Sequence, residues 1–140
     1  MKKYKIIILL VLVLFVIAVV IYGYLLYNKP HRDVLKAKSD FSLTAAVLLS
    51  EFEANSKNAS LKYNGKILLI SGKVESINLN DSIASIQLSG EGSFFGINCS
   101  FNEGVSKNLK DIQIGNIIQV KGEFKGYMDD VILNNCFLIK

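Results

Sequence analysis

The sequence predicts a small, mainly β domain, a five-stranded barrel with a leading helix, preceded by one transmembrane helix. Three observations carry that expectation. An uncharged apolar run lies near the N-terminus, one stretch of helical periodicity follows it, and the rest alternates apolar and polar residues between glycine-bearing turns.

The apolar run comes first. From Ile6 to Tyr27 no side chain is charged, and almost all are Ile, Leu, Val, Phe, Ala, Tyr or Gly. At about 1.5 Å per residue, a helix of that length crosses a hydrocarbon core about 30 Å thick. Tyr4 sits at one end and Tyr22, Tyr24 and Tyr27 at the other, where amphipathic rings favour the lipid interface. A cleaved signal peptide has a shorter apolar region and small residues before its cut. This run ends Tyr22-Gly-Tyr-Leu-Leu-Tyr27, so an uncleaved signal anchor is expected and cleavage is the competing reading. Positions 1–5 then form a tail, 6–27 the membrane helix, 28–40 a polar tether holding Pro30, and 41–140 the domain.

Charge follows the same division. Seven of the 16 basic residues precede Phe41, leaving nine basic against ten acidic residues in the domain. The isoelectric point near 9.0 therefore describes the flanks of the anchor. Lys2, Lys3 and Lys5 on one side nearly balance Lys29, Arg32, Lys36 and Lys38 on the other. The very short N-terminal tail favours an exported, periplasmic domain at the cell envelope.

After the tether, Ala45, Leu48, Leu49 and Phe52 recur at helical spacing, with Ser42 or Thr44 able to cap the start of a helix that ends near Asn55. Beyond Tyr63-Asn-Gly65 the period becomes that of strands. Lys66 to Ile77 is long, and Gly72 inside it marks an expected bend. Asn78 to Ser82 turns the chain into Ile83–Leu88, with Ala84, Ile86 and Leu88 on one face. Gly90-Glu-Gly92 leads into Phe94–Phe101, where Phe95, Ile97, Cys99 and Phe101 share a face. Gly104 to Asp111 reads as a short helix. Ile117–Phe124 aligns Ile118, Val120 and Phe124, Gly126 to Asp130 turns, and Val131 to Ile139 is the last strand. Three strands, a short helix and two strands, with a long bent first strand, match the five-stranded Greek-key OB-fold. A five-stranded open sheet is the alternative.

Several stretches carry a family resemblance. Ser42-Leu-Thr-Ala-Ala with Phe52, Tyr63-x-Gly65-Lys66, Ile70-Ser-Gly72-Lys-Val74 and Asn98-Cys-Ser-Phe101 are the first of them. Gly115, Val120-Lys-Gly122 and Val131-Ile-Leu133 with Cys136 complete the set. Over Phe41 to Lys140 the chain resembles the tRNA-anti-like family of small bacterial OB-fold proteins, which are often lipoproteins or membrane-anchored. The shared positions are glycines and apolar residues, so the resemblance implies a fold and no ligand. The chain departs from the lipoprotein members in having no cysteine near the apolar run, which leaves anchoring to the helix.

The residues point away from catalysis. The one histidine, His31, lies in the tether, so the common histidine-based triads have no base in the domain, and no zinc spacing is present. Asp129-Asp130 reads as a solvated turn, and Gly90 to Gly96 has the wrong spacing for a dinucleotide fingerprint. No enzyme activity and no cofactor are expected. Cys99 and Cys136 fall on strands three and five of the barrel, which are neighbours in an OB-fold. Two readings stay open for them, a disulfide in an oxidising compartment or two free core thiols.

An OB-fold usually binds on strands two and three and their flanking loops. Here the candidate ligand face is Ser85, Gln87, Phe94, Asn98, Lys125 and Tyr127, with the turns Asn78–Ser82 and Lys125–Asp130; Phe94 and Tyr127 are expected to point outward. The leading expectation is a membrane-tethered binding module of the cell envelope, acting on a peptide, glycan or other small ligand. Lipid is its first partner, through the helix. A scaffold subunit of a membrane complex is the alternative. A nucleic-acid-binding domain comes third, because that role pairs a basic groove with stacking aromatics and the domain's charge disfavours it.

Overall fold

The computed structural model describes residues 2–27, 33–80, 83–102 and 109–139. The chain divides into two units, Met1–Arg32 and Asp33–Lys140. The first is helix α1, Lys2–Tyr27, exposed along its whole length and long and apolar enough to span a membrane.

The second unit begins earlier than the tether expectation allows. Val34 is buried, and the Lys121 ammonium donates to the carbonyls of Leu35 and Ala37. The Asp40 carboxylate accepts from the Ile67 amide at 2.9 Å, and the Asp40 amide donates to the Ile67 carbonyl at 2.7 Å. Residues 33–40 are therefore part of the fold, while positions 28–32, with Pro30 and His31, lie outside the described residues.

Strand β1, Phe41–Thr44, runs parallel to the start of β2, Ile67–Leu79. Of the two expected helix caps, Ser42 lies inside this strand, while Thr44 ends it and caps the helix. Helix α2, Ala45–Tyr63, starts after Thr44, whose hydroxyl accepts the Val47 amide at 3.3 Å. Ala45, Leu48, Leu49 and Phe52 form its buried stripe, as their spacing predicts. The helix does not stop at Asn55. It kinks there, at φ −161° and ψ 91°, and the Asn55 side chain accepts the Asn58 amide at 3.0 Å, so one residue ends the first half and caps the second. The second half buries Ala59 and Tyr63.

A polar latch holds that second half back on the first. Lys62 and the Tyr63 hydroxyl both donate to the Glu51 carboxylate at 2.8 Å. The hydrogen bond from Lys62 outweighs partial burial and holds the Glu51 carboxyl below its ordinary value. Burial pushes the Tyr63 phenol up. Phe52 stacks on Tyr63 at 6.2 Å and lies 5.7 Å from Phe124.

The remaining strands are β3, Ala84–Ser89, β4, Gly96–Phe101, β5, Ile117–Tyr127, and β6, Val131–Ile139. Their order is β2-β3-β4-β6-β5, and β5 pairs back on β2, which closes a five-stranded barrel and excludes the open sheet. The pairings are antiparallel except β4 with β6. Length makes closure possible: the first half of β2 pairs with β5 and its second half with β3.

The bend assigned to Gly72 falls later, between Val74 and Ser76, where Glu75 is the extra residue of a bulge. Gly72 has another role. A Cβ there would lie 2.9 Å from Ala45 and 3.2 Å from Leu88, so its absence lets α2 approach the sheet. The short helix expected over Gly104 to Asp111 lies mostly outside the described residues, although Leu109 is buried in the core.

Candidate functional site

The site follows from alternation on two six-residue strands. Ala84, Ile86 and Leu88 of β3, and Ile97, Cys99 and Phe101 of β4, are buried. The residues between them, Ser85, Gln87, Asn98 and Ser100, must face outward. Register places Ser85 opposite Ser100 and Gln87 opposite Asn98, and on the other side Ser76 opposite Gln87 and Asn78 opposite Ser85. The result is a neutral hydrogen-bonding face, about 20 Å along the strands at ~3.3 Å per residue.

The face has internal order. Ser76 Oγ donates to Gln87 Oε1 at 3.2 Å, and Gln87 Nε2 donates to Asp130 Oδ2 at 3.4 Å. The other Asp130 oxygen accepts the Gly96 amide at 2.8 Å. Asp130 thus fastens the turn between β5 and β6 to the edge of the face, which corrects its reading as a merely solvated residue. Asn98 Oδ1 is covered and has no hydrogen-bond partner among the described residues.

The two flanking turns sit at opposite ends. Ala84 pairs with Phe101 at the end reached by the β2–β3 turn, while Gly96 and Val131 mark the end held by Asp130. Each end exposes two apolar side chains, Leu79 and Ile83 at the first, Phe94 and Met128 at the second. Phe94 is fully exposed.

The sequence expectations divide here. Ser85, Gln87 and Asn98 lie together on the face, and Phe94 projects from its rim. Lys125 is exposed but paired with Glu123 at 2.9 Å. Tyr127 does not point outward: its ring packs 5.0 Å from Phe52 and 5.4 Å from Phe95, because the register with β6 slips between Phe124 and Gly126 and the extra residue, Lys125, rephases the strand. Of the expected turn Asn78–Ser82, Asp81 and Ser82 lie outside the described residues. Ser76 and Ser100 were missed, although two-residue alternation alone points to Ser100. A second concavity of about 340 Å³ opens beside the start of α2, with Thr44, Ser71, Lys73, Ser89 and Glu91 on its walls. Among the described residues no group of three or more His, Cys, Asp and Glu side chains could hold a metal ion.

A closed five-stranded mixed barrel with this strand order defines an OB-fold protein. A family model described as tRNA_anti-like matches residues 1–138, and the chain belongs to that family. The match runs through helix α1, further than the stretch from Phe41 that carries the resemblance in sequence. Among solved structures, a "putative nucleic acid-binding lipoprotein" from Klebsiella pneumoniae subsp. pneumoniae MGH 78578 is 19% identical, at a TM-score of 0.60. That likeness covers 80% of this chain and 100% of the other. The yeast Stn1 and Ten1 structure is 15% identical at a TM-score of 0.46, over 75% of this chain and 65% of that one. No curated protein sequence matches the chain.

Proposed function

We propose that this protein is a membrane-tethered binding module of the cell envelope that takes an uncharged polar ligand, of the glycan or peptide kind, along the outer face of β3 and β4. One observation carries the reading: a row of neutral hydrogen-bonding side chains, Ser76, Asn78, Ser85, Gln87, Asn98 and Ser100, with exposed apolar groups at both ends. Such a row satisfies hydroxyls and amides, and the exposed Phe94 ring offers an apolar platform beside it. The tether is α1, an uninterrupted apolar helix, and the lipoprotein neighbour favours the envelope. The row consists of hydrogen-bonding groups suited to holding a ligand, which is why the role is read as binding.

A nucleic-acid ligand is the second reading, favoured by the family's name and by the description of the Klebsiella protein. It needs cations for phosphate. None of the six side chains of the row is basic, and Asp130 at its edge is acidic.

Titration of the detergent-solubilised full chain separates the readings. Neutral oligosaccharides and peptides are expected to bind with little salt dependence, and Gln87→Ala and Phe94→Ala to weaken them by about tenfold or more. Single-strand oligonucleotide binding that falls steeply with salt would replace this reading with the second.

A further inference from the structure

Both cysteines face the barrel core, from strands that form its one parallel seam. Cys99 lies on β4 and Cys136 on β6, with Cys99 opposite Leu133 and Phe101 opposite Cys136. Both are free and fully buried in this structure; the Cys136 thiol donates to the Leu133 carbonyl at 3.4 Å, and Cys99 is close enough to influence its titration.

Local sequence does not place Cys136 there by default. Along β6, Val131 and Leu133 point inward, so strict alternation would turn Asn135 in and Cys136 out. Asn135 instead adopts φ +52°, the one non-glycine residue with positive φ among those described, and the strand register slips beside it. That bulge rephases the strand and brings Cys136 to the inner face. Beneath it lies Gly122 of β5, where a Cβ would stand 2.6 Å from Cys136 Sγ. A left-handed asparagine and a missing side chain therefore converge on one sulfur, which is more than a small core residue requires.

We propose that Cys99 and Cys136 are a redox pair, whose oxidised form is a disulfide joining β4 to β6 across the parallel seam. The oxidant is a disulfide, either a small one or that of a thiol–disulfide exchange protein. One cysteine thiolate attacks it, forming a mixed disulfide and releasing one thiol. The second thiolate then displaces the remaining sulfur. Two S–H bonds are lost as protons, one S–S bond forms, and the oxidant leaves as two thiols. Burial, with the influence of Cys99, raises the Cys136 thiol well above its ordinary value, so little thiolate exists in the closed barrel. Exchange then occurs before the seam closes or when it opens.

The test uses the full chain in mild detergent, unfolded with reductant and refolded in a buffer of reduced and oxidised glutathione. The expected product is a monomer lighter by two hydrogens, with no thiol alkylated after denaturation without reductant. Its Tm should fall by roughly 10 °C or more on reduction. Two alkylated thiols, stable glutathione adducts or cross-linked dimers would each overturn the pairing. These readouts are independent of which ligand the outer face takes.

Discussion

The inner and outer faces of β3 and β4 are built from alternate residues of the same two segments, yet they do opposite work. Inward, Ala84, Ile86, Leu88, Ile97, Cys99 and Phe101 are buried in the common core. Outward, Ser85, Gln87, Asn98 and Ser100 are small or medium, polar and uncharged. A core needs volume and dryness, whereas nothing about folding requires an outer face to be neutral along its whole length. Surface strands of soluble proteins usually carry charge for solubility. That neutrality is the feature on which the proposed binding role rests.

Substitutions at Ile86, Asp130 and Phe94 probe that contrast, and one at Glu51 serves as a comparison away from it. Ile86→Ala empties space at a fully buried position and should lower stability by about 2–5 kcal/mol, read by denaturant titration. A loss below ~1 kcal/mol would mean the inner face is not the tightly packed side. Asp130→Ala removes the acceptor shared by Gly96 and Gln87 and should remove about 1–3 kcal/mol. The same variant should speed amide exchange at Gly96, whereas Asp130→Asn, which keeps an acceptor, should restore much of the protection.

The latch at α2 tests a polar contact away from the face. Because the folded Glu51 carboxyl is held below its ordinary value, its contribution is present above the ordinary carboxylate range and is lost as pH falls through and below it. Glu51→Gln should lower Tm slightly at neutral pH and leave no difference from the parent in strong acid. A difference that persists in strong acid would show that charge is not what the latch uses. The smallest effect belongs to the rim. Phe94→Ala should leave stability within about 0.5 kcal/mol, since the ring is fully exposed, while the same change weakens ligand binding. A clear loss of stability would assign Phe94 to the fold instead.

Much of the architecture is legible along the chain because its signals are local. The apolar run of α1, the helical stripe from Ala45 to Phe52 and the alternation of β3 and β4 each lie within a dozen or so neighbouring residues or a single long run. The second half of α2 was hidden for the opposite reason. Asn55-Ser-Lys-Asn-Ala-Ser is polar and rich in turn formers, and it becomes helical only where Ala59 and Tyr63 meet the core and Lys62 reaches Glu51. Strand β1 is as short as its four residues and exists through its pairing with β2.

By itself, then, the sequence determined the membrane-length helix, the mainly β class and the polar identity of the outer face, since periodicity and hydropathy act between near neighbours. Tertiary structure alone decided that Tyr127 turns into the aromatic core, that Asp130 clamps the rim, and that a bulge at Asn135 turns Cys136 to the inner face. Each of those depends on contacts between residues distant in the chain. Such contacts form only when the barrel closes, and no local pattern encodes them.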